Sequence, residues 1–464
     1  MRILFASAEV YPFSKTGGLA DVAGALPKAL VAAGHEVLVV SPWYRTLQAD
    51  PAPLWIGDVD VPFDGGFEPV GVGTLEVDGV RFAFVGHASF QRDALYGFAD
   101  DVQRFARFTR AIAPAAHRVG FMPDVVHAHD WHAAYLPLIL RHGWHLPDGW
   151  PGMPSVYTIH NLQHQGVSPL EATVHWLRLP RSALETGMQH FGSANAMQAG
   201  LDLATRVTTV SPTYAEEIQR PEFGFGLDGT LRHVAWKLRG IVNGIDETVW
   251  NPSTDPWLPA PFDVGDLSGK AVARTALLEE LGLRDGGPVL AAVSRFAEQK
   301  GIDLLLDAAD DLVGEGWRLA LLGSGEAALE TSAMALAARH PGQVAVRLGY
   351  DEPLAHRIYG GADAFAIPSR FEPCGLTQMI AMRYGTIPIA RATGGLADTI
   401  RPGVTGFLFA DAQPGALHAA AREAKASFDD DEVLGMRQAG MRTSFDWSKS
   451  AEAYVQVYRD AVAG

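Results

Sequence analysis

The chain has 464 residues, of which 48% are hydrophobic and 19% charged, a balance that excludes a disordered protein. That length accommodates about two to four domains with well-buried cores. With 37 Lys and Arg against 53 Asp and Glu the formal charge is −16, which argues against a free-standing nucleic-acid binder.

An acidic chain that handles an anionic ligand must gather its few cations locally, so each Lys or Arg in a glycine-rich loop is informative. Cys374 is the single cysteine, so no intramolecular disulfide forms, and a reducing compartment fits. The apolar run at Ile3–Ala8 is short and meets Glu9, which reads as a first strand and not a leader. No apolar stretch approaches a membrane span. A cytoplasmic protein with no membrane partner is expected.

In chain order, Arg2–Ser7 reads as a buried strand, followed by a long loop, Val10–Gly18, with the Gly17-Gly18 pair. Leu19–Ala33 has helical periodicity and stops at Gly34; Glu36–Ser41 is a second strand, completing a β-α-β unit. Leu54–Phe84 suggests hairpins inserted into the first domain. Strands are expected at Val80–Val85, Asp124–His127, Ser155–Thr158 and Arg206–Val210. After the Pro-rich stretch Asn251–Phe262, strands at Pro288–Ser294, Arg318–Gly323, Val344–Leu348, Ala364–Pro368 and Thr386–Ala390 alternate with helices such as Ile302–Val313. Trp447–Val462 reads as an amphipathic helix with Ala451, Tyr454, Val455 and Tyr458 on one stripe.

This alternation predicts an α/β protein of two Rossmann-like, doubly wound parallel-sheet domains facing a deep cleft. The expected boundaries are 1–243, 244–446, and a last helix, 447–464, crossing back to the first domain. The segment Thr16–Asp21, TGGLAD, recurs as Thr393–Asp398, one copy in each half. Two domains that each offer a glycine turn at a helix start would produce such an echo; a coincidence of common residues would as well.

Several segments could carry chemistry. Lys15-Thr16-Gly17-Gly18 precedes a helix, whose N-terminal N–H groups and positive potential suit a diphosphate; an ordinary glycine turn with a solvated lysine fits equally. Arg295 and Lys300 flank the loop after a parallel strand, where ligands bind in open α/β sheets; a solvated surface pair is the competing reading. His127-Ala128-His129-Asp130-Trp131-His132 approaches a metal-ligand pattern, but Trp131 stands where an aspartate is needed. A strand end presenting Asp130 and Trp131 to a sugar is preferred. Thr158-Ile159-His160-Asn161 closes another apolar run. Pro368–Thr377 passes from strand through an acidic turn to a helix near Gly375. There the N–H groups of Gly375, Leu376 and Thr377 could face an anion and Glu372 could accept sugar hydroxyls. Cys374 reads as a buried, inert thiol.

These segments, with Asn243-Gly244-Ile245-Asp246, occur in the order seen in bacterial glycogen and plant starch synthases, and the chain resembles that family over nearly its whole length. The resemblance implies a GT-B-type, metal-independent retaining glucosyltransferase that moves glucose from ADP-glucose to the non-reducing end of an α-1,4-glucan. It implies donor contacts from Lys15, Gly17, Gly18, Asp21, Asn243, Tyr350, Cys374, Gly375, Leu376 and Thr377, with Tyr350 against the adenine. It gives catalytic roles to Glu372, His160, Arg295, Lys300 and Asp130. Many retaining relatives carry a second glutamate eight residues after the first; Ile380 stands there, which weighs against a two-carboxylate mechanism. Nucleotide-sugar epimerases on this architecture and UDP-glucose-using sucrose or glucan synthases are the competing functions.

Overall fold

The computed structural model describes residues 1–185, 187–428 and 432–464. The chain divides into two compact units, Met1–Asn243 with Trp447–Gly464, and Gly244–Asp446.

The first unit contains β1 (Arg2–Ala6), β2 (Glu36–Pro42), β3 (Leu54–Phe63), β4 (Gly66–Val77), β5 (Val80–Gly86), β6 (Val125–His129), β7 (Ser155–Ile159), β8 (Val167–Ser168), β9 (Gln189–His190), β10 (Ser193–Asn195), β11 (Arg206–Thr209) and β12 (Leu238–Gly240). Its main sheet runs β12-β11-β7-β6-β1-β2-β5-β4-β3. Every pair from β12 to β5 is parallel. The last two pairs are antiparallel. The expected parallel sheet runs from β12 to β5, and the hairpins expected within Leu54–Phe84 extend that same sheet at its edge. Strand β5 pairs with β2 and carries β4 and β3 onto the same sheet, because the sides of β5 are buried along Val80–Val85 and need cover. A small sheet, β8-β10-β9, was not legible in the sequence, since strands of two or three residues show no periodicity.

Leu19, Val22, Ala23, Leu26 and Leu30 bury one stripe of the helix Gly18–Ala32, which ends just before Gly34 at φ 84°. The closing helix Trp447–Ala463 buries Ala451, Tyr454, Val455 and Tyr458 in the same core as Ile3, Phe5, Val22 and Leu26, as its stripe predicted.

The second unit contains β13 (Val289–Val293), β14 (Arg318–Gly323), β15 (Val344–Leu348), β16 (Ala364–Ile367), β17 (Ile387–Arg391) and β18 (Phe407–Phe409). All pairs in its sheet, ordered β15-β14-β13-β16-β17-β18, are parallel. Leu290, Leu319, Leu321 and Ile389 from the sheet pack with Ile302, Leu305 and Leu312 from the helix Ile302–Gly314.

In each unit the strand order reverses once, between β1 and β6 in the first and between β13 and β16 in the second. Loops leaving the carboxyl ends of such strands frame the ligand crevice of an open α/β sheet.

Candidate active site

Each reversal point carries some of the residues that the sequence singled out, and the first also carries Glu9. In the first unit the loop after β1 holds Glu9, Lys15, Gly17 and Gly18, and the chain leaving β6 begins with Asp130. A Cβ added to Gly17 or Gly18 would meet nothing within 4 Å, and Gly17 has an extended φ of −161°. Neither packing nor backbone conformation therefore demands glycine at these positions. The second copy of the motif differs. A Cβ at Gly394, φ 43°, would lie 2.0 Å from the Glu372 carbonyl oxygen, and one at Gly395 2.1 Å from that of Cys374. The second pair is thus required by the close approach of its own loop to the Glu372 turn, and the two echoes serve different ends.

Lys15 Nζ is paired with Asp21 at 2.7 Å on a partly exposed surface, a pair of small energetic weight. The Thr16 and Gly17 N–H groups donate to the Glu9 carboxylate, the latter at 3.3 Å. The expectation that this loop's amides await an anion is corrected in part. Two of them are already satisfied, while those of Gly18 and Leu19 are first-turn donors that a helix leaves without intrahelical acceptors.

Asp130 is 7% exposed and sits at φ 52°, a conformation uncommon outside glycine. Its Oδ1 accepts from the His160 N–H at 2.7 Å and the Asn161 N–H at 3.3 Å. Burial pushes its carboxyl up to about 7, and these two bonds hold it from rising further. The His160 ring Nε2 lies 2.9 Å from His129 Nδ1, and burial pushes the His160 imidazole down to about 3, so it acts as a neutral hydrogen-bonding group. His127 spends its ring nitrogens on Tyr458 Oη at 2.8 Å and Thr158 Oγ1 at 2.6 Å. These contacts tie the histidine run to the strand next door and to the last helix. Asn243 Oδ1 is buried with no hydrogen-bond partner among the described residues.

A cavity of about 530 Å³ opens beside this cluster, lined by Trp131, Gln163, Gln165, Asp101 and Phe225 among others. Flat aromatic faces with amide and carboxylate groups between them suit a sugar chain.

In the second unit the loops after β13 and β16 meet. Gly301, φ 65°, lets them do so, since a Cβ there would stand 2.0 Å from the Pro368 carbonyl oxygen. The approach puts Lys300 Nζ 2.6 Å from Glu372 Oε2, which also accepts from Ser369 Oγ at 2.9 Å. Arg295 is exposed and has no ion-pair partner among the described residues. Cys374 is buried and unpaired by disulfide, as expected. Gly375 takes φ 74°, and the following helix is Thr377–Arg383, beginning two residues after the expected start, because that left-handed residue precedes it. Leu376 and Thr377 are half-buried there; Tyr350, after β15, is largely exposed, and its hydroxyl donates to Glu352 Oε2 at 3.1 Å.

Residues 2–233 match the family described as the starch synthase catalytic domain, and residues 273–435 the glycosyl transferases group 1 family. A glycogen synthase of Deinococcus radiodurans is 48% identical over 99% of this chain and 100% of its own length. The chain belongs to the glycogen synthase family. A Thermus thermophilus member is 45% identical with both chains covered in full. The catalytic domain of starch synthase IV from Arabidopsis thaliana, solved with ADP and acarbose, superposes with a TM-score of 0.92 at 34% identity, covering 100% of this chain and 99% of that one. A sucrose-phosphate synthase from Thermosynechococcus elongatus shares the fold alone, at TM-score 0.64 and 20% identity. As a glycogen synthase family member with the GT-B fold, the protein works in glycogen synthesis by glucosyl transfer, and the epimerase reading gives way. Among the described residues no helix is long and apolar enough to cross a membrane.

Sequence reasoning passed over Glu9, Tyr96 and Ser369. Glu9 was visible only as an acid ending an apolar run; a carboxylate at the carboxyl end of a buried parallel strand was the signal available.

Proposed function

We propose that ADP-glucose is the donor and the non-reducing end of an α-1,4-glucan the acceptor, with retention of configuration and without a metal, in the cytoplasm. The observation that carries this reading is the Arg295, Lys300 and Glu372 group. A sugar diphosphate needs cations for its phosphates and a carboxylate for its hydroxyls; Lys300 and Glu372 stand 2.6 Å apart, and exposed Arg295 precedes Lys300 on the loop after β13.

In this reading Arg295 and Lys300 neutralise charge that grows on the diphosphate as its bond to glucose breaks, together with the amides near Gly18 and Gly375–Thr377. Glu372 holds the transferred glucose, and Asp130 and neutral His160 hydrogen-bond it near the reacting carbon. Asp21, Asn243, Leu376 and Cys374 line the donor's path, and Tyr350 packs on the adenine. The acceptor hydroxyl, delivered along the Trp131 cavity, attacks on the face from which the phosphate departs. The position eight residues after Glu372 carries no carboxylate, since Ile380 there is buried and apolar. The test is product analysis with a malto-oligosaccharide and either ADP-glucose or UDP-glucose. Extension by one α-1,4-linked glucose at higher kcat/KM with ADP-glucose supports the reading; equal or faster extension with UDP-glucose defeats the donor assignment.

Two further outcomes are expected. Gly17→Ala adds a methyl into open space, so the protein keeps its thermal stability to within about 1 kcal/mol. If the donor approaches this backbone, turnover falls at least about tenfold; wild-type turnover would remove Gly17 from the donor site. Exhaustive chelation with EDTA leaves activity unchanged, because side-chain cations already serve the phosphates. Loss on chelation, restored by one divalent ion, would refute the metal-independent reading.

A further inference from the structure

Glu9 is 3% exposed near the start of the loop that follows the first strand, and its carboxylate makes no ion pair among the described residues. Its four hydrogen bonds all run to two places. Oε2 accepts from the Thr16 and Gly17 N–H groups, and Oε1 from Thr16 Oγ1 at 2.7 Å and Tyr96 Oη at 2.7 Å. Burial raises the Glu9 carboxyl, and each of these bonds pulls it back. An acid kept out of water with three of its four hydrogen bonds on a surface turn is costly to maintain for stability alone, since an exposed turn contributes little to the core.

Tyr96 connects this acid to the cavity that Trp131 lines. Its ring packs 4.9 Å from that of His132, which stacks 4.1 Å from Trp131 in the cavity wall. Tyr44 closes the other side, its hydroxyl donating to the Ala8 carbonyl at 2.8 Å. The Glu9 carboxylate therefore takes both N–H groups, those of Thr16 and Gly17, that lead into the helix Gly18–Ala32, whose first residue is exposed.

We infer that Glu9 is a positioning residue for glucosyl transfer: by holding the Thr16 and Gly17 amides it aims the Gly18 and Leu19 amides and Lys15 at the leaving diphosphate. The inference rests on the reading that this turn meets the donor. Because the aimed groups stabilise charge that develops as the bond breaks, the loss belongs in kcat and not in the KM for glucan.

The experiment compares kcat, KM for ADP-glucose, KM for malto-oligosaccharide and thermal stability across a small series on the full chain. Glu9→Ala is expected to lower kcat about 10²-fold while the KM for glucan stays within twofold. Glu9→Gln recovers most of that loss, since its amide oxygen can take both N–H bonds and its NH₂ can face the two hydroxyls. Tyr96→Phe and Thr16→Val, each removing one bond, give intermediate losses and report even where Glu9→Ala fails to fold. A folded Glu9→Ala with kcat within threefold of wild type, or a drop confined to thermal stability, overturns the inference, as do wild-type kinetics in both Tyr96→Phe and Thr16→Val. Lys15→Ala and Gly17→Ala separate the two levels. If they are impaired while Glu9→Ala is not, the inference alone falls; if they too are unimpaired, the donor reading of the turn falls with it.

Discussion

Arg295→Ala and Lys300→Ala are each expected to cut kcat by about 10²–10³-fold, the loss of about 3–4 kcal/mol that follows removal of one preorganised group from a site of developing charge. The two variants should differ in stability. Arg295 is exposed and makes no ion pair among the described residues, so its removal leaves the fold untouched. Lys300 neutralises Glu372, which is 6% exposed and, among the described residues, otherwise held only by Ser369. Its removal leaves a buried carboxylate with one hydroxyl donor and should cost about 1–3 kcal/mol. Steady-state kinetics beside thermal denaturation reads both effects. Turnover within threefold of wild type in both folded variants would take these cations out of the reaction.

Asp130→Asn is expected to stabilise the protein while disabling it. The folded state holds this carboxyl at about 7 against an ordinary 3.8. A raised folded value for an acid means that its neutral form is favoured, so stability is lost as the pH rises from about 4 to 7 and stays lost above. At 1.36 kcal/mol per unit the cost reaches about 4 kcal/mol at most. Asparagine keeps an oxygen for the His160 N–H, 2.7 Å away, and removes the ionisation. The variant should melt higher than wild type at pH 8 and match it near pH 4. Activity should fall about 10–100-fold, the weight of a charge-assisted bond to a sugar hydroxyl. Wild-type activity should climb as the pH rises through about 7, and the variant's residual activity should lose that limb. A variant that melts lower at pH 8 would show that the carboxylate is not strained in the fold.

Much of the fold was legible because buried parallel strands write themselves as short apolar runs and their covering helices as stripes. Ile3–Ala6, Val289–Val293 and Ala364–Ile367 are such runs, and Tyr454 and Tyr458 such a stripe. Partnership was not legible. Leu54–Phe84 reads as hairpins in either case, and only the pairing of Leu38 with Arg81 through Pro42 with Val85 makes them the edge of the main sheet. The repeated TGGLAD shows the same limit: identical residues stand in open space at Gly17 and against the Glu372 turn at Gly394, and local sequence holds no record of that difference.

By itself the sequence determined which groups stand as candidates for the chemistry. Lys15, Asp130, His160, Arg295, Lys300 and Glu372 each follow a strand end or precede a helix start, and such positions depend on local pattern. Tertiary structure decided how those groups are spent. It paired Lys300 with Glu372 across 72 residues and left Arg295 without an ion pair among the described residues; it turned Glu9 beneath the glycine turn and tied it to Tyr96 across 87; and it buried Asp130 deeply enough to raise its carboxyl. Charge pairing and desolvation are set by what the folded chain brings within a few ångströms, and neither residue identity nor spacing along the chain contains that distance.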